Sequence, residues 1–522
     1  MKKVLYLTVA LAFTLIVSCK KDKAVATTDT GNGNGVTGPS KTGSTLDLIR
    51  DSVFLYAKEA YYWYDGLPTY AAFNPRSYTS TDDLSALTKE VDAISQFKIN
   101  PTTGKPYEYY SPSPGEAKYS FIDQGEVSSE LNGNKGDFGF APLYNDVNDL
   151  RIKYVYPGSP ADLAGVKRGY KITVINGSSD FAYDGGTGTH TQFVINAYAN
   201  SNTIAMTLQK PDGTNLSVTL TVANYTANPV LNYKVFNQGN GHIVGYIVFN
   251  SFTSDANADG PLNTAFNYFA TQNITDLVVD LRYNGGGYIS TAEYLDNLIV
   301  PAAKNNTVMY SSYFNSILTN NQEVLLKNQV RRDATSGKLY NYGQFDYSVA
   351  GNAVNFTKMG SLAINRVFFI VTGATASASE LTINNLRPHM NVQLIGTTSY
   401  GKPVGFFDID INKYQMYIPE FETKNSAGQG GYYTGMTPGS TDYPGKQDYD
   451  DVTHDFGDPA EGLLAHALTF VNTGTYAVTT PQIQSLNKVK TFSVDQSNDA
   501  AIQLNQHQFN GMIVNKKNLK VK

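Results

Sequence analysis

Val367-Phe-Phe-Ile-Val-Thr-Gly-Ala-Thr-Ala-Ser-Ala-Ser-Glu380 is the stretch on which the fold turns, and Lys402 follows 22 residues after it in Ser399-Tyr-Gly-Lys-Pro403. The apolar run Val367 to Val371 predicts a buried strand, and Leu381-Thr-Ile-Asn-Asn-Leu386 predicts a helix. Between them a serine stands among small residues, where a core strand turns into a helix. The strand fixes its position, Ala376 and Ala378 leave room for a substrate, and the helix N-terminus offers unpaired N–H groups to a developing oxyanion. This is the pattern of a serine nucleophile, with a lysine as its partner base.

Upstream, His242-Ile-Val-Gly-Tyr-Ile-Val-Phe-Asn250 predicts a strand and Pro261 to Ala270 a helix. Asp276-Leu-Val-Val-Asp-Leu-Arg282 predicts a strand buried on both faces, running into Asn284-Gly-Gly-Gly287 and a helix from Thr291 to Leu298. Strand, helix and strand in alternation imply an α/β core with parallel neighbours. Glycines at the end of a strand let backbone approach a ligand closely. Residues 300–365 are rich in Asn, Tyr and Ser and read as an insertion over or beside the site. Beyond Lys402, strands are expected over Phe406 to Ile411 and Tyr414 to Ile418, and a last helix over Asp458 to Val471. The tail, 476–522, carries no assignable pattern.

The other end of the chain reads as export and tethering. Lys2 and Lys3 precede an uncharged apolar run, Val4 to Val17, too short for a comfortable membrane span. It closes on Leu15-Ile-Val-Ser-Cys19, which resembles a bacterial lipobox and makes Cys19, the only cysteine, the expected site of lipidation. Residues 1–18 are then a lipoprotein signal peptide and 19–45 a flexible tether of Lys, Thr, Gly, Asn and Ser. The mature chain has 38 Lys and Arg against 45 Asp and Glu, a charge of −7 without a dense basic stripe, which argues against nucleic acid. Residues 46–125 form a helical N-terminal module: Leu48, Ile49, Val53, Tyr56, Ala57 and Ala60 recur at helical spacing after Ser44 or Thr45 as N-cap. Thr81 to Phe97 is its second helix. Packing, rather than chemistry, is the role this module suggests.

From residue 130 short strands and glycine turns take over. Phe138-Gly-Phe140, then Leu150-Arg-Ile-Lys-Tyr-Val-Tyr156, Pro157-Gly-Ser-Pro-Ala-Asp-Leu-Ala-Gly-Val-Lys-Arg-Gly169 and Ile172-Thr-Val-Ile-Asn-Gly177 resemble a PDZ domain, spanning 130–225. Tyr170 departs from the family's aspartate. The resemblance implies that Phe138, Gly139 and Phe140 lie at the loop that holds a peptide carboxylate, with the peptide adding as a strand to the sheet edge.

Taken together, the segments resemble the C-terminal processing (tail-specific) serine peptidases, as a Bacteroidetes-type lipoprotein member. The order matches: signal, helical part, PDZ, Asp-Leu-Arg-x-Asn-Gly-Gly-Gly, a Ser-Ala-Ser-Glu-like turn, and Gly-Lys. The resemblance implies a multidomain α/β protein whose helical module and β-rich PDZ domain precede an α/β ClpP/crotonase-like peptidase core at 230–475. It implies Ser377 as nucleophile, with Thr375 in the place of an earlier serine, and Lys402, 25 residues on, as general base. For that work the amine must be desolvated so that it is neutral near pH ~7. Ala378 with Gly285 or Gly286 would supply oxyanion N–H groups, Ser399 would help orient the amine, and Glu380 matches a glutamate near the dyad. Where many members carry an aspartate, 11 residues after the nucleophile, this chain has Pro388.

The expected function is therefore that of a lipid-anchored serine endopeptidase of the cell envelope, with polypeptide substrates engaged as extended or C-terminal peptides. The rival is a non-catalytic peptide-binding or scaffold lipoprotein that keeps the fold. Ser379 reads better as a capping or packing residue than as the nucleophile. A triad through His389 or His454 lacks a Gly-x-Ser-x-Gly elbow. Asp408 and Asp410 alternate on a strand and are expected to face solvent. No Cys/His cluster and no Gly-Lys-Ser/Thr loop occur, so neither a metal nor a nucleotide cofactor is expected.

Overall fold

The computed structural model describes residues 39–239, 241–332, 337–476, 500–501, 504 and 511–514. Cys19 and the 1–18 leader lie outside the described residues, as do most of the tether and of the tail.

Helix α1 spans Thr45–Ala60 and starts on a reciprocal cap: Ser44 Oγ accepts the Asp47 N–H, while the Asp47 carboxylate accepts the Ser44 N–H. Helix α2, Asp83–Ser95, is capped by Asp82. Helix α2 stops short of its expected end at Phe97, and the apolar stripes of both helices (Val53, Phe54 and Ala57; Leu87, Val91 and Ile94) join the same hydrophobic cluster as the central sheet.

The second unit is a five-stranded antiparallel sheet in sequential order: β1 (Phe140–Asp146), β2 (Asp149–Val155), β3 (Lys171–Ile175), β4 (Thr203–Gln209) and β5 (Asn215–Thr221). Helix α3, Thr189–Ala199, packs on it, and a ribbon pairing Asn134–Asp137 with Ala223–Thr226 ties its two ends together. Strand β1 is an edge.

The third unit is a six-stranded sheet. From its antiparallel edge the order runs β6 (Val230–Gly239), β7 (His242–Phe249), β8 (Asp276–Asp280), β9 (Arg366–Val371), β10 (Asn391–Gly396) and β11 (Gly445–Gln447), with β7 to β11 all parallel. Every residue of β8 is buried, as a central parallel strand covered on both faces requires. Alternate residues divide between two cores. Leu277, Val279, Val367 and Phe369 face helices α4 (Asp255–Thr271) and α5 (Ile289–Ile299). Val278, Phe368 and Ile370 face helix α7 (Gly462–Thr473) together with Tyr154 of β2 and Tyr156 just after it. Helix α6, Ala378–Leu386, follows β9 after the Ser377 turn.

Residues 300–365 are built into the body more than the composition suggests. Val308–Phe314 pairs antiparallel with Phe421–Asn425 and with Ala353–Asn355. Three tyrosines of the segment are buried, and the hydroxyl of each finds an acceptor: Tyr310 reaches Glu293 at 2.6 Å, Tyr342 reaches Asp408 at 2.9 Å, and Tyr347 the Tyr342 carbonyl at 2.6 Å. Asp408 is accordingly not on the surface; it is 4% exposed and pairs with Arg331, whereas Asp410 is 45% exposed at its side chain and pairs with the same arginine. The expectation that both face solvent holds for Asp410 alone.

A buried charge network joins the small sheet to the large one. Arg168 donates to the Tyr283 hydroxyl (2.7 Å), to Asp450 (2.8 Å) and to the Lys153 carbonyl (2.7 Å). Arg282, at the end of β8, forks onto Asp280 and Glu461 and also reaches Asp450. Two arginines and three carboxylates thus satisfy one another away from water.

Candidate active site

Ser377 sits between β9 and α6 with φ 60° and ψ −107°. That is a conformation non-glycine residues rarely adopt, at a cost of about 1–3 kcal/mol. The neighbours hold it there. The Ala376 N–H donates to the Asn284 carbonyl at 3.0 Å, the Ser377 N–H to Glu380 Oε2 at 2.9 Å, and the Leu381 N–H to the Ser377 carbonyl at 2.7 Å. The side chain itself is buried, and its Oγ has no hydrogen-bond partner among the described residues. A strained backbone presenting an unpaired buried hydroxyl is what a nucleophile needs and what a packing serine lacks.

Glu380 organises the rest. Its Oε2 also accepts the Lys402 N–H at 2.8 Å, and its Oε1 accepts the Gly401 N–H at 2.7 Å and the Ser399 hydroxyl at 2.5 Å. One carboxylate oxygen therefore holds the backbones of Ser377 and Lys402 together. Burial raises the Glu380 pKa above the usual carboxyl range, against the pull of the four donors. Ser399 Oγ in turn accepts the Met436 N–H at 2.8 Å, so this hydroxyl fixes Glu380 and the loop.

Lys402 is completely buried, with its amine 3.7 Å from the centre of the Phe406 ring and 5.4 Å from that of Tyr119. Burial holds its pKa well below the lysine range; the carboxyls of Glu108, Glu380 and Glu420 oppose the shift and the Lys118 cation adds to it. Desolvation is the larger effect, and it favours the neutral form of the amine.

Two backbone N–H groups near the serine carry no hydrogen bond among the described residues: those of Ala378, the first residue of α6, and Gly285. The Gly286 N–H is already taken by Asn284 Oδ1 at 2.9 Å, which removes it from the expected pair of alternatives and leaves Gly285. Gly286 serves differently. With φ 107°, a Cβ there would lie 3.1 Å from the Ala378 nitrogen and 2.3 Å from the Gly511 carbonyl, so only glycine lets the two chains meet.

Three further residues enter the site without having been assigned a role from sequence. Asn284 is buried and stitches the glycine turn to the serine turn: its carbonyl accepts from Ala376 and from Ser379 Oγ (3.0 Å), and its amide donates to the Phe249 carbonyl (2.8 Å). Its position before the triplet was the available signal. Lys118 and Tyr119 arrive from the N-terminal module, and nothing local in the sequence marks them. The Tyr119 hydroxyl donates to the Gly401 carbonyl at 2.5 Å, and the Lys118 amine, pushed down to about 8 by burial, reaches the same carbonyl at 3.2 Å. The module thus grips the loop that carries Lys402, contrary to a packing role alone.

The competing serine and histidines stand elsewhere. Ser379 Oγ is occupied by Asn284, His389 contacts the Val308 carbonyl and Ser426 Oγ, and His454 pairs with Asp451. Phe138 and Phe140 are buried in the small sheet's core. Gly139, with φ 83°, has no room for a side chain, since a Cβ would lie 2.0 Å from that of Ser159. A cavity of about 240 Å³ is lined by residues of the small sheet and of the core, among them Phe138, Phe140, Tyr198, Asn250 and Gly285, together with Leu504 of the tail.

Residues 243–436 match the model of peptidase family S41. The carboxyl-terminal-processing protease of Picosynechococcus is 25% identical over 277 residues, which are 53% of this chain and 55% of that protein. The chloroplastic C-terminal processing peptidase of Tetradesmus obliquus is 26% identical over 264 residues, 49% and 48% of the two chains. The chain thus spans about half the length of the curated relatives it matches. A solved Bacteroides fragilis structure assigned to the S41 proteases is 22% identical, with a TM-score of 0.52 over 81% of this chain and 97% of that one, a likeness of fold. The chain carries a peptidase family S41 domain, and the relatives of that domain are the C-terminal processing peptidases. No described helix is long and apolar enough to cross a membrane.

Proposed function

We propose that this protein is a serine endopeptidase in which Ser377 attacks the peptide carbonyl and Lys402 is the general base. The neutral amine takes the serine proton as the bond to carbon forms and returns it to the leaving amine, leaving an acyl-enzyme that water hydrolyses. The N–H groups of Ala378 and Gly285 stabilise the oxyanion; one such donor is worth about 2.7–4 kcal/mol. The carrying observation is that an unpartnered, strained serine and a fully buried lysine hang from the same Glu380 oxygen. The small sheet acts as a PDZ domain that engages polypeptide beside Phe138, Gly139 and Phe140, and Cys19 carries the lipid that anchors the enzyme in the cell envelope. In place of the aspartate that Pro388 replaces, Glu380 supplies the carboxylate next to the dyad.

The test is cleavage of an unfolded model protein by the purified full chain, beside Ser377→Ala and Lys402→Ala. Cutting by the wild type and silence of both variants is the expected result. Cutting by all three refutes the dyad, and silence of all three favours a scaffold that binds peptides without hydrolysing them.

A further inference from the structure

Residues 511–514 of the tail return to the Ser377 site and lie beside it as a strand. Gly511, Met512 and Ile513 run parallel to Gly286, Gly287 and Tyr288, and the Gly511 N–H donates to the Gly285 carbonyl at 3.0 Å. On the other side Phe406 is bonded through both of its backbone groups. Its N–H donates to the Met512 carbonyl and its carbonyl accepts the Val514 N–H, each at 2.9 Å. The four residues thus fill a slot between two stretches of the core, hydrogen-bonded along both edges. One wall of the slot is the glycine turn that carries the Gly285 N–H. The other is the residue whose ring lies 3.7 Å from the Lys402 amine.

The strand lies against the reacting groups themselves. A Cβ on Gly286 would stand 2.3 Å from the Gly511 carbonyl oxygen and 3.1 Å from the Ala378 nitrogen, so the tail carbonyl and the oxyanion donor flank the same glycine. Met512 is completely buried, and so are Ser377, Ala378 and Lys402. A polypeptide substrate cannot reach a nucleophile closed off in this way until something leaves its path. Backbone pairing along a strand's edges is how an extended polypeptide is held, and it asks little of the side chains. Both walls lie within residues 243–436, which match the family, whereas the strand lies beyond helix α7. The slot belongs to the family's domain; its occupant does not.

We propose that residues 511–514 sit in the seat of an extended substrate strand and act as a resident competitor, which must leave before the protein cleaves anything else. This rests on the reading of Ser377 and Lys402 as the dyad, and it adds where the substrate lies and what regulates its entry. A segment of the same chain competes at an effective concentration far above that of a free peptide, so the full chain is held closed.

The test uses a fluorescein-labelled peptide of residues 508–517, Gln-Phe-Asn-Gly-Met-Ile-Val-Asn-Lys-Lys. Its binding is read by fluorescence anisotropy on chains carrying Ser377→Ala, so that cleavage does not intervene. A chain ending at Leu504 should bind it at least about tenfold more tightly than the full chain, whose own strand is in place. Met512→Asp, which puts a charge into a buried position and loosens the strand, should give the full chain an intermediate affinity. With Ser377 restored, cleavage of an unfolded model protein should rise about fivefold or more on truncation, and fall again as unlabelled peptide is added over its binding range. Equal binding by the full and shortened chains overturns the proposal. So does no binding by a shortened chain that still unfolds cooperatively in urea, or an affinity of Met512→Asp no better than that of the full chain. Loss of cooperative unfolding in both variants makes the strand part of the fold and overturns it as well. Binding as expected with no cleavage by any chain sinks the hydrolytic reading alone, while equal cleavage by the full and shortened chains sinks this one alone.

Discussion

Lys402→Met should stabilise the protein while abolishing cleavage, and the gain should depend on pH. In the fold the amine is completely buried, and that burial holds its pKa well below the lysine range. In the unfolded chain the same amine titrates near ~10.4. Below that value the unfolded chain takes up a proton that the folded chain refuses. Stability then falls by about 1.4 kcal/mol for each pH unit until the folded pKa is reached. The amine is neutral to stability above pH ~10.4 and costs more as the pH drops, the reverse of a lysine stabilised by an ion pair. Between about pH 10 and about pH 8.5 the variant should therefore pull ahead of the wild type by about 2 kcal/mol. That window lies above Lys118, whose own pKa burial pushes down to about 8. Methionine keeps an unbranched apolar chain one atom shorter beside the Phe406 ring, and Glu108, Glu380 and Glu420 are common to both proteins, so the pH-dependent contributions of those groups largely cancel. Urea denaturation at four pH values, with m-values compared, gives the difference directly. A difference that stays flat with pH would refute the reasoning. It would mean that Lys402 keeps its proton in the fold, neutralised by those carboxyls, and has no basic lone pair to offer.

Tyr119→Phe removes the hydroxyl that holds the Gly401 carbonyl, so kcat for peptide cleavage should fall by roughly fivefold, about 1 kcal/mol, with KM unchanged. Asn284→Ala strands the Gly286 N–H and the Phe249 carbonyl in a buried place, and chemical denaturation should register a loss of about 2–5 kcal/mol. Arg168→Met leaves Asp450 with one arginine fewer at the joint between the two sheets; a loss of about 3–5 kcal/mol is expected by the same measurement, with faster proteolytic nicking between the units. Glu380→Gln removes a negative charge that favours the ammonium form of Lys402, so the acidic limb of the kcat/KM profile should move to lower pH even as kcat drops because an amide NH₂ now faces N–H donors.

The strands and the helix around Ser377 were legible because long-range packing and local pattern agree there. Val367 to Val371 is apolar without interruption because its strand is covered on both faces, and the small residues after it fit a turn too tight for anything larger. Pro261 misled the start of its helix. Proline favours the first turn, but here six residues precede it, and α4 begins at Asp255. The 300–365 segment was read as peripheral because its strands are built of tyrosine, serine and asparagine. A buried tyrosine is indistinguishable in sequence from an exposed one, since the acceptor that permits its burial, such as Glu293 for Tyr310, comes from another part of the chain. Lys118 and Tyr119 were invisible for the same reason: the carbonyl they hold lies 282 residues away from Tyr119.

That distance bears on how burial favours the neutral form of the Lys402 amine. Lys402 follows a glycine in a loop, and loops ordinarily leave lysine in water, where its pKa stays near ~10.4. Three pieces of chain prevent this. Phe406 closes one side of the amine, Tyr119 faces it from another, and Glu380 draws the loop inward by its backbone. The Glu380 oxygens accept from the N–H groups of Ser377, Gly401 and Lys402 and from the hydroxyl of Ser399. Its charge opposes the effect of burial on the amine and is outweighed by it. The same carboxylate thus holds together the backbones of the proposed nucleophile and the proposed base, while burial favours the neutral amine. The helical N-terminal module completes the arrangement by supplying Tyr119, so the chemistry of the Ser377 turn depends on a unit that shares no element with it.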